Sequence, residues 1–136
     1  MFAITKDKRE FSWKQAMHKP NLLVLLRMQN GKVLAGFSQE GYSEKPAQPG
    51  NGWLLSVSAN KVFYLKKKAQ ASVLRYSYHS FVFGNNDLRI EYDGSVFSIF
   101  GKDCGDFESR KYKADDLVGD GERMSEVVEF YQLSYE

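Results

Sequence analysis

The chain is poor in cysteine and histidine, the residues that disulfides and zinc sites need. It has one cysteine, Cys104, and two histidines, too few for an internal disulfide or for the four ligands of a structural zinc site. The single thiol lies between Asp103 and Asp106, and such negative surroundings disfavour the reactive thiolate. Because the sequence shows no disulfide framework, we expect a reducing, cytoplasmic environment.

Long hydrophobic runs and a strong charge of one sign are also lacking. The longest apolar run, Leu22 to Leu26, has five residues, whereas a membrane-spanning helix needs about 20, so we expect no direct membrane insertion. The formal net charge is only +2, which does not indicate a nucleic-acid partner. Lysines cluster at 61 and 66–68 among aromatic residues, a pattern more typical of an edge strand protected from aggregation than of a nucleic-acid surface.

Motifs of enzymes and cofactor sites are absent or incomplete in the sequence. It contains no phosphate-binding or dinucleotide-binding loop and no nucleophile elbow. Glu91 and Asp93 would lie about 6.5 Å apart on one strand face, near the spacing of glycosidase carboxylates, although any acidic solvent face gives that spacing. We therefore expect a non-enzymatic protein without a metal or cofactor. The alternative is a weak redox or hydrolytic enzyme that acts through Cys104 or through Glu91 and Asp93.

Aromatic residues, in contrast, are abundant. They make up 15% of the chain, with ten Phe and eight Tyr, and together with β-branched residues they favour strands. Short runs of such residues follow one another along most of the chain and predict an antiparallel two-sheet β-sandwich with short flanking helices. Residues 1–19 would form a helical or irregular lead-in, and residues 20–136 the sandwich domain, because Pro20 ends any preceding helix.

Three pairs of turn residues between strand-like runs predict β-hairpins. The pairs are Asn30-Gly31, Ala59-Asn60 and Asp93-Gly94. The first pair is typical of a type I′ turn, in which both central residues take positive φ. The aromatic run 72–83 is predicted as one strand, residues 101–124 as a charged loop, and the end of the chain fits either a helix or a strand.

The stretch FGNNDLRI contains a further predicted turn. Gly84 and the two asparagines after it separate two strand-like runs, and Phe83 anchors the first run in the core. A single carboxylate at the turn, that of Asp87, is too little for a metal site. We expect Asp87 to accept hydrogen bonds from backbone N–H groups of its own loop.

Four segments in this order resemble the motifs of the TLDc domain, a module found in oxidation-resistance proteins. They are the hairpin LLVLLRMQNGKVLAGFS, the strand GWLLSVS, the segment FVFGNNDLRI and the closing SEVVEFYQL, within residues 20–135. The positions that match the family pattern are Gly31, Val33, Gly36, Phe37, Trp53, Leu55, Ser56, Phe83, Gly84, Asp87, Leu88, Ile90, Val127, Glu129 and Tyr131. Leu34-Ala35 and His79-Ser80 depart from the usual Phe-Gly and Gly-Pro, so the chain resembles a divergent, protist-like member.

The resemblance implies a β-sandwich with short flanking helices that binds proteins and has no enzyme chemistry or cofactor. Some family members bind the vacuolar proton pump (V-ATPase) and regulate its assembly, and others are linked to oxidation resistance. By this analogy we expect an adaptor or accessory subunit of a larger assembly.

We expect the partner to contact two loops, 39–52 and 101–124, with an edge strand as a further candidate surface. The candidate contact residues on these loops are Tyr42, Pro46, Asp103, Asp106, Asp115 and Asp116. A remaining possibility is a β-sandwich that binds a small ligand, which would require a deep apolar pocket.

Overall fold

The protein is mainly β and contains two antiparallel sheets. The computed structural model describes residues 2–4, 21–39, 51–66, 74–77, 80–84, 86–91, 93–102, 105–109, 111–120 and 123–132. Within these residues the strands are β1 (Phe2–Ile4), β2 (Leu22–Met28), β3 (Val33–Ser38), β4 (Gly52–Ser56), β5 (Lys61–Tyr64), β6 (Leu74–Ser77), β7 (Ser80–Phe83), β8 (Leu88–Glu91), β9 (Val96–Phe97) and β10 (Ser125–Gln132), and the helix is α1 (Ala114–Val118). The six-stranded sheet has the order β1-β10-β2-β3-β4-β5, and the four-stranded sheet has the order β6-β7-β8-β9.

Strand β2 shows how the sequence forms a sheet with one fully buried face. Leu22, Val24, Leu26 and Met28 are buried, and the residues between them are half-buried or exposed, as a side-chain period of two requires. The buried faces of both sheets contribute to one hydrophobic core, whose fully buried aromatic side chains are Phe81, Phe83, Phe100, Phe107 and Phe130. Burial of one such side chain contributes about 1.5–3 kcal/mol, so the shared core is the main stabilising element.

Two contacts bring the sheets face to face. The rings of Phe81 on β7 and Phe130 on β10 lie 4.8 Å apart between centroids. Phe83 on β7 lies against Gly36 on β3, where an added Cβ atom would be 2.4 Å from the aromatic ring. The sheets can therefore approach closely at this point only because residue 36 has no side chain.

All three predicted hairpins are confirmed, because β2 pairs with β3, β4 with β5 and β8 with β9. The first turn is nevertheless not the predicted type I′ turn, since Gly31 has a φ of 93° but Asn30 does not take a positive φ. The N–H of Gly31 donates to the Met28 carbonyl (3.0 Å), and the N–H of Met28 donates to the Lys32 carbonyl (2.8 Å). These bonds define a three-residue loop that ends in a glycine with positive φ.

The side chain of Asn30 gives this hairpin a second role, because it ties the loop to helix α1. Its Nδ2 donates to the carbonyl of Val118 (2.9 Å), at the end of the helix. Its Oδ1 accepts the N–H of Lys32 (3.0 Å) within the hairpin loop. Asn30 therefore contributes to this turn through the hydrogen bonds of its side chain and not through a left-handed backbone.

Replacing both Asn30 and Gly31 by alanine is expected to lower the free energy of unfolding by about 2 kcal/mol. About half would come from forcing alanine into positive φ at residue 31, and half from the lost hydrogen bonds of residue 30. Chemical denaturation measures the change. Gln29→Ala, at an exposed position of the same loop, is the control and should change stability by less than about 0.5 kcal/mol. A double variant as stable as the wild type would contradict this account of the turn.

Two segments differ from the sequence-based prediction. The aromatic run 72–83 contains two strands, β6 and β7, which pair with each other in antiparallel fashion. Strand-forming residues do not reveal a reversal when the turn contains neither glycine nor proline. The region 101–124, predicted as a loop, includes helix α1 with buried Leu117 and Val118, and five residues are too few to show a helical period.

The two ends of the described chain meet in the six-stranded sheet. The C-terminal segment, whose sequence fitted a helix or a strand, is strand β10 and lies between β1 and β2. Of the predicted lead-in at 1–19, only Phe2–Ile4 is described, and it forms the edge strand β1 beside β10. Residues 5–20 lie outside the described residues, so a helix there stays a prediction, and α1 is the only helix of the described part.

Candidate functional site

The turn between β7 and β8 anchors a second loop that forms one wall of the candidate site. Asp87 is fully buried, and its two carboxyl oxygens accept the N–H groups of Asp106 (2.8 Å) and Phe107 (3.0 Å). Asp87 therefore accepts backbone N–H groups, as predicted. The two donors lie 19 and 20 residues further along the chain, in a second loop. Gly84 and Gly105 lie against the same carboxyl group, where an added Cβ atom would be 2.5 and 2.7 Å from its oxygens.

The anchored loop continues as a short pairing partner for β5, the edge strand of the six-stranded sheet. Phe107 forms an antiparallel bridge with Leu65, directly after β5. The N–H of Glu108 then donates to the carbonyl of Tyr64 (2.7 Å). The loop therefore covers the C-terminal end of the outer edge of β5.

The first half of β5 keeps an open edge, because no backbone bond between β5 and the described residues of the pairing loop continues beyond Glu108. The N–H of Tyr112 donates to the Ser109 carbonyl (2.9 Å), which closes a turn directly after the paired segment. Backbone groups along a strand point to alternate sides, so the N–H and C=O of Val62 point in the same direction as those of Tyr64. No residue of the described ranges hydrogen-bonds to these two groups of Val62, and we call them the open edge of β5.

A groove of about 590 Å³ lies beside this open edge. Together with Phe63, the residues that line this β5 groove are Lys61, Val62, Tyr64, Glu108, Lys111 and Tyr112. The buried ring of Phe63 packs edge-to-face against Tyr112 and Phe100, with centroids 5.4 and 4.7 Å apart. The Nζ of Lys111 lies 5.8 Å from the ring centroid of Tyr112, within the range of a cation–π contact. The groove is thus supported by the core and carries positive charge.

Exposed apolar side chains border the β5 groove. The exposed fractions are 62% for Tyr64 and 42% for Val62, and both side chains line the groove. Single exposed apolar residues are common on proteins, whereas several that adjoin one another mark interaction surfaces. The side chain of Phe97, on β9 of the other sheet, is exposed to a similar degree (51%) and offers a comparison outside the groove.

Three of the six predicted contact residues lie in the described part of the structure. Tyr42, Pro46 and Asp103 lie outside the described residues. Asp106, Asp115 and Asp116 are described, and they differ in exposure and in hydrogen bonding.

Asp106, Asp115 and Asp116 each have an identified structural position. Asp106 is 8% exposed, so its side chain offers little surface to a partner. Asp115 is exposed and forms a salt bridge with Arg123 (2.6 Å), and Asp116 accepts the N–H of Lys113 (2.8 Å) at the start of α1. The two exposed carboxylates therefore already stabilise the helix and its neighbouring strand.

The sequence indicates only part of the β5 groove. The lysine-rich run 61–68 predicts an edge strand, and β5, which includes its first four residues, is confirmed as an edge strand. Lys111 and Tyr112 lie in the loop expected to contact a partner. Their juxtaposition with Val62 and Tyr64 depends on the hydrogen bonds of Asp87, which connect segments far apart in the sequence.

The carboxylates considered for catalysis are held by neighbouring groups. Glu91 accepts hydrogen bonds from Ser80 (2.5 Å) and Arg89 (2.5 Å), and Asp93 accepts the N–H of Ser95 (2.8 Å). Cys104 lies outside the described residues. The β5 groove opens to solvent, and most of the side chains that line it are exposed; a small-ligand site stays a prediction.

The described part of the chain contains neither a candidate metal cluster nor a candidate membrane-spanning helix. No group of three or more His, Cys, Asp or Glu side chains that could hold a metal ion occurs there. No helix in the described ranges is long and apolar enough to cross a membrane.

The outer face of the six-stranded sheet carries a hydrogen-bonded pair of side chains. On β10, the hydroxyl of Tyr131 donates to the carboxylate of Glu129, and the facing residues on β2 are Leu23 and Leu25. This hydrogen bond raises the pKa of Tyr131 above its usual value of 10.0, and burial and the negative charge of Glu129 act in the same direction. The folded state therefore holds the Tyr131 proton more tightly than the unfolded state does.

Tyr131→Phe is expected to change how stability depends on alkaline pH. Because the pKa of Tyr131 is raised in the folded state, its contribution is fully present below pH 10.0 and is lost as pH rises through the folded-state pKa. The wild type should be more stable than the variant near neutral pH, by about 1 kcal/mol, and this difference should shrink above pH 10.0. Denaturation curves of wild type and variant, measured near neutral pH and above pH 10.0, test this. A stability difference between them that stays constant or grows at the higher pH would contradict the prediction.

Comparison with models of known protein families gives no match, and comparison with curated protein sequences gives no significant match.

Proposed function

We propose that the chain is a non-enzymatic protein-interaction module, built as an antiparallel two-sheet β-sandwich of the TLDc type with short flanking helices. The observation that carries this proposal is the β5 groove. An open strand edge, exposed apolar side chains and two lysines occur there together. Proteins recognise such edges by main-chain hydrogen bonds and by pockets for side chains.

The TLDc part of the proposal is supported by the positions of the resembling segments. The hairpin motif forms β2 and β3, the next motif forms β4, the FVFGNNDLRI segment spans β7 and β8, and the closing motif forms β10. Among the matched positions, Gly36 and Phe83 meet between the sheets, and Asp87 anchors the loop beside β5. The family pattern therefore coincides with residues that this fold needs.

The resemblance also suggests a cellular role. An adaptor or accessory subunit of a larger cytoplasmic assembly, connected with a proton pump or with oxidation resistance, is the role that the resemblance favours. Binding fits the described surface better than catalysis does, because the carboxylates of Glu91 and Asp93 have structural partners.

Capture of partner proteins from native extract tests the proposed function. A groove variant that combines Val62→Ser with Tyr64→Ala should capture at least about tenfold less partner protein than the wild type. Truncating central interface anchors costs about 2 kcal/mol or more in binding free energy. Phe97→Ser, which alters an equally exposed apolar residue on the other sheet, is the matched control and should retain the partners. Circular dichroism establishes that both variants fold.

Two results of this capture experiment would contradict the proposed function. If the folded groove variant binds every partner as the wild type does, the β5 groove is not the interaction surface. If neither the wild type nor the control binds any protein specifically, the chain is not an interaction module under those conditions and the proposal fails.

A further inference from the structure

We propose that the partner presents an acidic, extended segment, which adds to the open edge of β5 as a further strand. This inference rests on the protein-interaction function proposed above and specifies the chemistry of the partner. It concerns the same β5 groove and follows from the backbone, the side chains and the charge of that groove.

The backbone at the open edge has the geometry that strand addition requires. The N–H and C=O of Val62 point away from β4, and no backbone bond from the described residues of the neighbouring loop reaches them. A partner strand can satisfy both groups at the normal strand spacing of about 4.8 Å. It would continue the line of the 105–108 loop, which already pairs with the end of β5.

The side chains of the β5 groove give the added strand contacts on both of its faces. Tyr64 and Val62 lie on the outer face of the six-stranded sheet, and Phe63 lies on the inner face beside Tyr112. Successive side chains of an extended segment point to opposite faces. Apolar residues of the partner can therefore contact Val62 and Tyr64 while its alternate residues reach the mouth of the groove.

The charge of the groove selects acidic residues at those alternate positions. Lys61 and Lys111 are exposed at the groove and exceed its single carboxylate, that of Glu108. The cation–π contact with Tyr112 holds the Lys111 side chain near the groove, which reduces the entropy lost on binding. Carboxylates on the partner would thus gain an interaction that a neutral or basic segment lacks.

The same charges disfavour a second copy of this chain as the occupant. Two β5 strands paired with each other would place Lys61 and Lys111 of one chain near the same residues of the other. Like charges that face each other across a pair of strands are destabilising, and lysines on edge strands commonly prevent such self-pairing. An acidic heterologous segment satisfies the open edge without this repulsion.

Binding of two synthetic peptides to the full chain tests the proposal. The acidic probe alternates Glu with Val and Tyr, and the basic probe has Lys at every Glu position. The acidic probe should bind at least about tenfold more tightly at low salt, and added salt should weaken its binding. In the double variant with Lys61→Glu and Lys111→Glu, this preference should reverse.

Two substitutions of Val62 separate backbone pairing from side-chain contact. Val62→Pro removes the outward N–H and replaces the side chain by the apolar proline ring, a change that an edge strand tolerates, and should weaken binding of the acidic probe at least about tenfold. Val62→Ala keeps the N–H and should weaken it less than about threefold. If Val62→Pro does not fold, protection of the Val62 amide from hydrogen exchange by the acidic probe in the wild type gives the same information.

Several results would overturn strand addition. These are equal binding of the two probes, undiminished binding to folded Val62→Pro, absence of protection at the Val62 amide, or dimerisation of the chain in place of probe binding. If the acidic probe fails while the Val62→Ser/Tyr64→Ala variant still loses its native partners, the protein-interaction function stands and only the acidic-strand inference falls.

Discussion

Replacing Asp87 by alanine is expected to lower the free energy of unfolding by about 4 kcal/mol. Asp87 is fully buried, and its carboxyl oxygens accept the N–H groups of Asp106 and Phe107. The substitution leaves both N–H groups without their acceptor, and each buried donor without a partner costs about 1–3 kcal/mol. It also creates a polar cavity between Gly84 and Gly105. Chemical denaturation followed by circular dichroism measures the loss.

Two control substitutions make this prediction specific. Asp93→Ala also removes a carboxyl acceptor of a backbone N–H, that of Ser95, but from an exposed turn, and should cost less than about 1 kcal/mol. Asp87→Asn preserves the shape but directs an amide NH₂ towards a backbone donor, so it should be destabilising by an intermediate amount. If Asp87→Ala were no more destabilising than Asp93→Ala, Asp87 would not anchor the second loop.

The loss of Asp87 should also disturb the β5 groove. The 105–108 loop pairs with the end of β5 and leads directly into Lys111 and Tyr112. A weakened Asp87 anchor should therefore raise hydrogen exchange in this loop before global unfolding occurs. This links Asp87, at the turn before β8, to the proposed binding surface.

Gly36→Ala is expected to cost about 3 kcal/mol, the second large effect. The new Cβ would lie 2.4 Å from the ring of Phe83, which is fully buried and therefore has little room to move. Overpacking of a dense core usually costs about 1–3 kcal/mol. Glycine loses more backbone entropy on folding than alanine does, so Gly36→Ala without a steric clash would stabilise the strand. Destabilisation here would therefore identify the collision with Phe83 as its cause.

A double-mutant cycle isolates that collision. Phe83→Leu alone should cost about 1–2 kcal/mol through the loss of buried surface. Combined with Gly36→Ala, it removes the ring atoms that meet the new methyl group, so the double variant should be more stable than the sum of the two losses predicts by about 1–2 kcal/mol. Strict additivity would show that residues 36 and 83 do not contact each other between the sheets.

The sequence predicts this fold best where the pattern is local. Alternation in β2 and the turn residues before β3, β5 and β9 depend on neighbouring residues, and the corresponding hairpins are confirmed. Even there, the Asn30-Gly31 dipeptide predicts a left-handed backbone at Asn30, because the dipeptide is typical of a type I′ turn. Its actual role is a hydrogen bond to the carbonyl of Val118, which depends on tertiary structure.

The candidate site was less predictable because distant segments form it. The aromatic residues and lysines of the run 61–68 indicate an edge strand, but no local pattern shows that the described residues leave the outward backbone groups of Val62 unpaired. Likewise, a single aspartate after Gly84 does not reveal which backbone groups it binds. The answer depends on packing of the 105–108 loop against the β7–β8 turn.

Hydrogen–deuterium exchange of the chain, alone and with the protein that it captures from native extract, tests the central claim most directly. We predict that the partner slows exchange at the amides of residues 61–64 and 108–112, which border the β5 groove, and leaves β8 and β9 unchanged. Protection confined to β8 and β9, or to any surface other than the groove, would contradict the claim that this protein binds its partner at the edge of β5.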